Sequence, residues 1–344
     1  MEFEVINPLQ CPFWDDLVLS HPDHSLFHTT DWARVLVESY GFAPHYLLER
    51  EGNKIIAALP FMEISNLGIG KRAVSLPFSD YCEPLLGANV HFQNVLENVI
   101  AYGKKKGWSS LEIRSKKEMP GEISPLGSYL HHELKVSEGE NPLFSRFRAG
   151  TRRNIKKAVR EGVEVIFRDS IEAVKRYFAL HCDTRKMHGL PPQPFSFFRN
   201  VQEYILSKGK GFVALARYQG KSIAGGIYMH FGGNAIFKYG ASDRRYLEVR
   251  ANNMVMWEAI RFYSQNGFNT FSFGRTDSEN EGLAAYKRGW GSDETTISIL
   301  KYDMKNGQYI NPIKRTYGIH NKIIKHLPFG ISKFLGRSIY QFMD

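Results

Sequence analysis

Little in this 344-residue chain marks a secreted, membrane-spanning or metal-bound protein. Only three cysteines occur, Cys11, Cys82 and Cys182, far apart and odd in number. That pattern excludes a disulfide framework or a metal-ligand cluster and predicts three unrelated buried thiols in a reducing cytoplasm. No run of about 18 uncharged apolar residues is present. The longest candidate, Ser222 to Phe237, is broken by His230 and four glycines. The opening residues carry Asp15, Asp16 and Asp23 without an apolar core run, so no signal peptide is expected there. Low-complexity tracts are also missing.

What is present suits a folded protein of two domains. The length exceeds one ordinary core, and 43% hydrophobic and 13% aromatic residues are globular values. The net charge of +10 is concentrated. Between Phe144 and Arg160 lie Arg146, Arg148, Arg152, Arg153, Lys156, Lys157 and Arg160 with no acid between them. After Asn311 come Lys314, Arg315, Lys322, Lys325, Lys333 and Arg337 against the terminal Asp344 alone. Two such surfaces imply phosphorylated ligands, RNA or an anionic membrane face.

Periodicity predicts a helix over Trp32–Tyr40 capped from Thr29, Thr30 or Asp31, and two strands around the turn in HYLLER-EGN-KIIAALPFMEI. An amphipathic helix over Phe92–Lys106, closed by Gly107, precedes the strand LEIRS. The second half repeats this order: three strands over 211–242, a helix over Asn252–Asn266 stopped by Gly267, then the strand FNTFSFG. EGNKIIAAL (51–59) can be laid on QGKSIAGGI (219–227), and LENVIAYGKKKGWSSLEIR (96–114) on MWEAIRFYSQNGFNTFSFG (256–274). A repeat of this size implies a duplicated domain. The expected organisation is 1–138, 139–300, and a basic tail over 301–344 that packs back on the domains.

The words SLPFSDY (75–81), TRRNIKKAVREGVEV (151–165), TRKMHGLPPQP (184–194), FKYGASD (237–243), ANNMVMWEAI (251–260) and FSFGRT...EGLAAYKRGWG (271–291) resemble FemAB-related proteins. They also resemble the neighbouring BioF2-like acetyltransferase group of the GNAT superfamily. The resemblance implies an α+β (alternating α/β) fold: two tandem GNAT-like domains with mixed β-sheets flanked by helices. It implies transfer of an amino acid from aminoacyl-tRNA, or of an acyl group from acyl-CoA, to an amine, with no tightly bound cofactor and no metal. The sequence departs from the pattern twice. It has no heptad run for a coiled-coil arm, and RRYLEVRANN stands where standard GNAT enzymes carry a glycine-rich pyrophosphate loop.

An amine attacking an ester or thioester must be neutral, and its tetrahedral oxyanion needs a donor. The resemblance places Lys287, in AAYKRGWG, close to the reacting groups, with Tyr286 and Trp290 beside it. Asp80, in PFSDYCEP, is the candidate proton acceptor or amine anchor, with Tyr81 next to it; an Asx cap is the alternative. Arg185, near His188 and before the rigid LPPQP, is a candidate anion clamp. Arg275 opens a loop at a strand end, and Lys238 and Tyr239 lie on the strand matching the GNAT acyl-binding strand. Arg152, Arg153 and Lys156 are candidate donor- or phosphate-binding residues, with a solvated face as the alternative.

The expectation is therefore a cytoplasmic acyl- or aminoacyl-transferase forming an amide on an envelope precursor (peptidoglycan or polysaccharide). Charged tRNA is a possible partner, the inner membrane face a possible peripheral contact through the tail, and DNA is not expected. The rivals are an acyl-CoA-dependent N-acetyltransferase acting on an amino sugar or peptide, and a non-catalytic RNA- or membrane-binding module.

Overall fold

The computed structural model describes residues 3–66, 70–117, 123–310 and Tyr340, so of the expected tail over 301–344 the stretches 311–339 and 341–344 lie outside the described residues. The chain forms two compact units. Unit 1 is built from residues 3–130 with the chain from Thr295, and unit 2 from His131–Glu294 with Tyr340.

Unit 1 contains β1 (Glu4–Ile6), α1 (Trp14–Leu19), α2 (Thr30–Tyr40), β2 (Ala43–Glu51), β3 (Lys54–Asn66), β4 (Gly70–Val74), β5 (Leu85–Leu86), α3 (Phe92–Lys106) and β6 (Trp108–Ser115). Of the possible caps for α2, Thr29 takes the role, its hydroxyl accepting the Trp32 N–H at 3.3 Å. β1 to β4 run antiparallel in chain order, and β6 joins β4 in parallel. The crossover is α3, which ends at Gly107 in the left-handed region at φ 71°, a conformation that costs glycine no Cβ clash.

β7 (Gly127–Lys135) enters unit 2, followed by α4 (Glu140–Arg146), α5 (Ala149–Arg160), β8 (Glu164–Arg168), α6 (Ile171–Met187), α7 (Phe195–Tyr204), β9 (Gly211–Tyr218), β10 (Lys221–Phe231), β11 (Asn234–Ser242), α8 (Ala251–Gln265), β12 (Thr270–Asp277) and α9 (Glu281–Arg288). β8 to β11 are antiparallel and β12 joins β11 in parallel, with α8 as the crossover. The two fragments that match between the halves thus occupy the same places in both units: β3 answers β10, and α3–β6 answers α8–β12. These are tandem GNAT-like domains with mixed sheets flanked by helices.

β13 (Asp293–Asp303) then returns to unit 1, pairing antiparallel with β6 from Ser298↔Ser115 to Asp303↔Ser110, and β14 (Gln308–Tyr309) pairs with β13. The unit 1 core packs Leu59, Phe61, Val95, Val99, Trp108 and Ile113 against Leu300, Tyr302 and Met304 from this return. The unit 2 core gathers Phe147, Tyr228, Trp257, Tyr263, Phe271, Phe273 and Trp290.

Helix α3 approaches its sheet closely because Gly103 has no side chain. A Cβ there would lie 2.6 Å from Met304 Cε and 2.7 Å from Trp108 Cε3. Gly103→Val should therefore destabilise the protein by about 1–3 kcal/mol through overpacking. The check is the urea unfolding midpoint, which should fall without a change of slope.

Candidate functional site

Lys287 lies in the last turn of α9, a helix started by the Asn280 side chain accepting the Leu283 N–H. Only 3% of the residue is exposed. Its Nζ donates to the carbonyl oxygens of Gly274 at 2.8 Å and Arg275 at 3.1 Å. Gly274 makes this possible: at φ 69° inside β12 it sits in a conformation that a side chain would strain. An ammonium has three donors, so two anchored on backbone oxygens fix where the charge stands.

His132 on β7 is fully buried, with Nε2 2.9 Å from Glu294 Oε2. Burial, and then the positive charge of Lys287, hold its imidazole below the usual pKa, against the pull of Glu294. Arg288 bonds both Glu294 (2.9 Å) and Glu281, so α9 is tied at the next residue as well. Arg275 supplies a carbonyl to Lys287. Tyr286 is half-buried, and burial raises its pKa. Trp290 is wholly buried, its ring edge-on to Phe147 at 5.1 Å, so it belongs to the packing of unit 2 and offers no surface to a ligand.

Lys238 occupies a β-bulge: Ile227 pairs with Tyr239 and Tyr228 with Phe237, which leaves Lys238 extra. Simple alternation would put neighbouring side chains on opposite faces; here the Lys238 ammonium lies 5.2 Å over the Tyr239 ring. That ring packs on Phe198 at 5.4 Å and Phe197 at 6.0 Å. Arg185 uses its fork internally, donating from Nε to Pro191 O at 3.2 Å and from Nη2 to Tyr340 Oη at 2.7 Å. His188 caps the C-terminus of α6 beside it, its pKa lowered by burial and by Arg185.

Asp80 and Tyr81 lie in unit 1. Asp80 is 6% exposed and follows two non-glycine residues with left-handed backbones, Leu76 at φ 52° and Phe78 at φ 60°, on either side of Pro77. Phe78 is held by its ring, 4.8 Å from Tyr40 and 6.5 Å from Phe42. Ser79 closes the turn, its N–H and hydroxyl both donating to Leu76 O. The segment is pinned to β6 by Ser75 N–H to Glu112 O and Cys82 N–H to Arg114 O. Buried charge surrounds it: Arg114 donates to Glu112 Oε1 at 2.7 Å, and Glu83 accepts from the Ser115 hydroxyl at 2.6 Å and the Lys116 N–H at 2.8 Å. The Lys116 ammonium sits 4.3 Å over the Tyr81 ring.

The buried Cys82 thiol lies 3.6 Å from His28 Nε2, but burial drives the thiol pKa well up and the imidazole down to about 4, so both stay neutral. Among the described residues no group of three or more His, Cys, Asp or Glu side chains is placed to hold a metal ion, and no helix is long and apolar enough to cross a membrane. The sequence reading missed Glu83, Glu112, Arg114, His132 and Glu294. For two of them a signal existed: LEIRS alternates, which puts Glu112 and Arg114 on one face of a strand.

A family profile described as an acetyltransferase (GNAT) domain matches residues 145–288. A lipid II:glycine glycyltransferase of Staphylococcus haemolyticus is 32% identical over 99 residues, covering 27% of this chain and 24% of the relative. Its counterpart in Staphylococcus epidermidis is 32% identical over 80 residues, covering 22% and 19%. The chain thus spans about a quarter or less of the length of these curated relatives. Among solved structures, FemX superposes with a TM-score of 0.68 at 14% identity, over 86% of this chain and 96% of that one. A tandem GNAT protein from the clavulanic acid biosynthesis pathway gives 0.56 at 12% identity, over 88% and 98%. Residues 145–288 thus match a GNAT acetyltransferase domain, part of the chain is similar to Fem-type glycyltransferases, and the tandem fold is the one seen in FemX.

Proposed function

We propose that this protein is an aminoacyltransferase that forms an amide bond on an amine of a peptidoglycan precursor, using aminoacyl-tRNA as donor. The observation that carries this reading is the buried Lys287 ammonium, fixed on two carbonyls in a chain whose relatives are lipid II:glycine glycyltransferases. In the proposed reaction the acceptor nitrogen attacks the ester carbonyl carbon, and the carbon–oxygen ester bond then breaks. The nucleic-acid oxygen leaves with the proton that the amine gives up. Lys287 stabilises the oxyanion of the tetrahedral intermediate. Asp80 is the proposed acceptor of the amine's proton, and Tyr81, Arg275, Lys238, Tyr239 and Tyr286 are proposed substrate contacts. The proposed place of work is the cytoplasm, on the envelope-precursor side of metabolism.

The donor reading is supported by the segment between β11 and α8. It forms a 3-10 helix over Arg244–Val249, and its N–H groups are used internally: Arg245 to Asp243 Oδ1, Tyr246 to Asp243 O and Arg250 to Leu247 O. Such a segment offers no open row of N–H groups to a pyrophosphate. Free coenzyme A should accordingly bind with a dissociation constant well above the micromolar range. Calorimetry giving tight, saturable binding would favour the acyl-CoA-dependent acetyltransferase reading instead.

The direct test mixes the full chain with a lipid II-type precursor and either charged tRNAs or acyl-CoA thioesters, with mass spectrometry for the new amide. Product from neither donor sinks the enzyme reading and leaves a binding module. Lys287→Ala should cut the rate about 10²-fold, a loss of about 3 kcal/mol of transition-state stabilisation, with the acceptor KM little changed. Turnover close to wild type would remove Lys287 from the chemistry. Asp80→Asn should give a smaller defect that shrinks as pH rises, because more of the acceptor amine is then neutral without a base. A defect independent of pH would make Asp80 a positioning residue.

A further inference from the structure

Helix α5 presents a face that neither the fold nor the proposed chemistry uses. Its inner side is Ile155 and Ala158, both buried, while Arg153, Lys156, Val159 and Arg160 are exposed. Beside it lies the 3-10 helix Arg244–Val249, joined to α5 by the Lys157–Glu248 ion pair at 3.7 Å. There Arg244, Arg245 and Leu247 are exposed, and Arg245 is paired with Asp243. Setting the two paired cations aside, Arg153, Lys156, Arg160 and Arg244 have no ion pair among the described residues. Among these cations stand two of the chain's exposed large aliphatic side chains, Val159 at 57% and Leu247 at 44%. On the Val159 side a groove of about 590 Å³ opens over Phe144, Ile155 and Trp257, rimmed by Arg152 and Lys156.

We propose that this α5–Arg244–Val249 face docks on an anionic phospholipid bilayer. Unpaired cations interleaved with protruding aliphatic groups match the headgroup–acyl boundary, where phosphate and hydrocarbon lie within a few ångströms of each other. Arg152, Arg153 and Lys156, candidates for phosphate binding from the sequence, meet the phosphates of lipid headgroups in this proposal. A surface for unpaired RNA would display aromatic rings for base stacking. Here the protruding groups are aliphatic, and the groove's indole, Trp257, is only 6% exposed. The proposal extends the transferase reading by naming where the enzyme meets its surroundings. Its test needs neither donor nor acceptor, so vesicle binding and amide transfer can fail separately.

The full chain should co-sediment at low salt with vesicles containing phosphatidylglycerol and not with pure phosphatidylcholine vesicles. Binding should vanish by about 0.5 M NaCl, where the Debye length is only a few ångströms. Replacing Arg153, Lys156, Arg160 and Arg244 by Gln should weaken it about 10²- to 10³-fold. The double variant Val159→Ser, Leu247→Ser should weaken it several-fold at unchanged charge. All these positions are exposed, and circular dichroism should confirm an intact fold. Wild-type binding by the four-charge variant would overturn the proposal in favour of another basic segment. Loss of a short oligouridylate from that variant, with vesicle binding unmoved by the aliphatic pair, would make the face a nucleic-acid surface. Absence of binding to anionic vesicles at low salt would also overturn it.

Discussion

A lysine ammonium in a protein interior is tolerated only where oxygen atoms replace its lost water, and the end of β12 supplies them. Gly274 bends the strand so that its own carbonyl and that of Arg275 converge on Lys287. Several other features meet at that requirement. Arg288 and Glu294 tie the following turn, His132 is kept neutral beside the charge, and Trp290 anchors the end of α9 in the aromatic core. Altering the β12 kink would release the charge that the proposed chemistry depends on.

Much of the architecture was legible in the sequence because it rests on local chemistry. The helix Phe92–Lys106 ends where Gly107 allows a left-handed turn, and β3 and β10 are apolar runs next to Gly turns, buried on both faces over 57–64 and 223–229. The site was less legible, for reasons specific to each residue. Trp290 shares its motif with Lys287, but adjacency in sequence does not reveal which side chain turns inward to the core. For Lys238 and Tyr239 the strand pattern implies opposite faces, and a single bulge cancels that alternation. Arg185 has the fork of an anion clamp, yet its partners are a proline carbonyl and a tyrosine 155 residues away, a contact that no local pattern encodes.

The segment around Asp80 shows a different economy. Two left-handed non-glycine residues each cost of the order of 1–2 kcal/mol, and they persist because other contacts outweigh the strain. Leu76 is wholly buried, Phe78 lies against Tyr40 and Phe42, and the chain on both sides is hydrogen-bonded to β6. Strain held in place this way fixes a buried carboxylate more firmly than a relaxed turn would. That rigidity suits the role proposed for Asp80, in which it meets a substrate amine at one angle.

The return of β13 to unit 1 has a consequence for the order in which the protein is made. A ribosome that has finished residues 1–130 has not yet supplied Leu300, Tyr302 and Met304, and so has not supplied the side of the unit 1 core that closes over Trp108 and Gly103. Unit 2, almost continuous from His131 to Glu294, has nearly all its strands earlier. Domains ordinarily mature from the N-terminus as synthesis proceeds. Here the first unit to emerge still lacks one wall of its core after every strand of unit 2 has been made, and until β13 arrives its sheet waits with the β6 edge open.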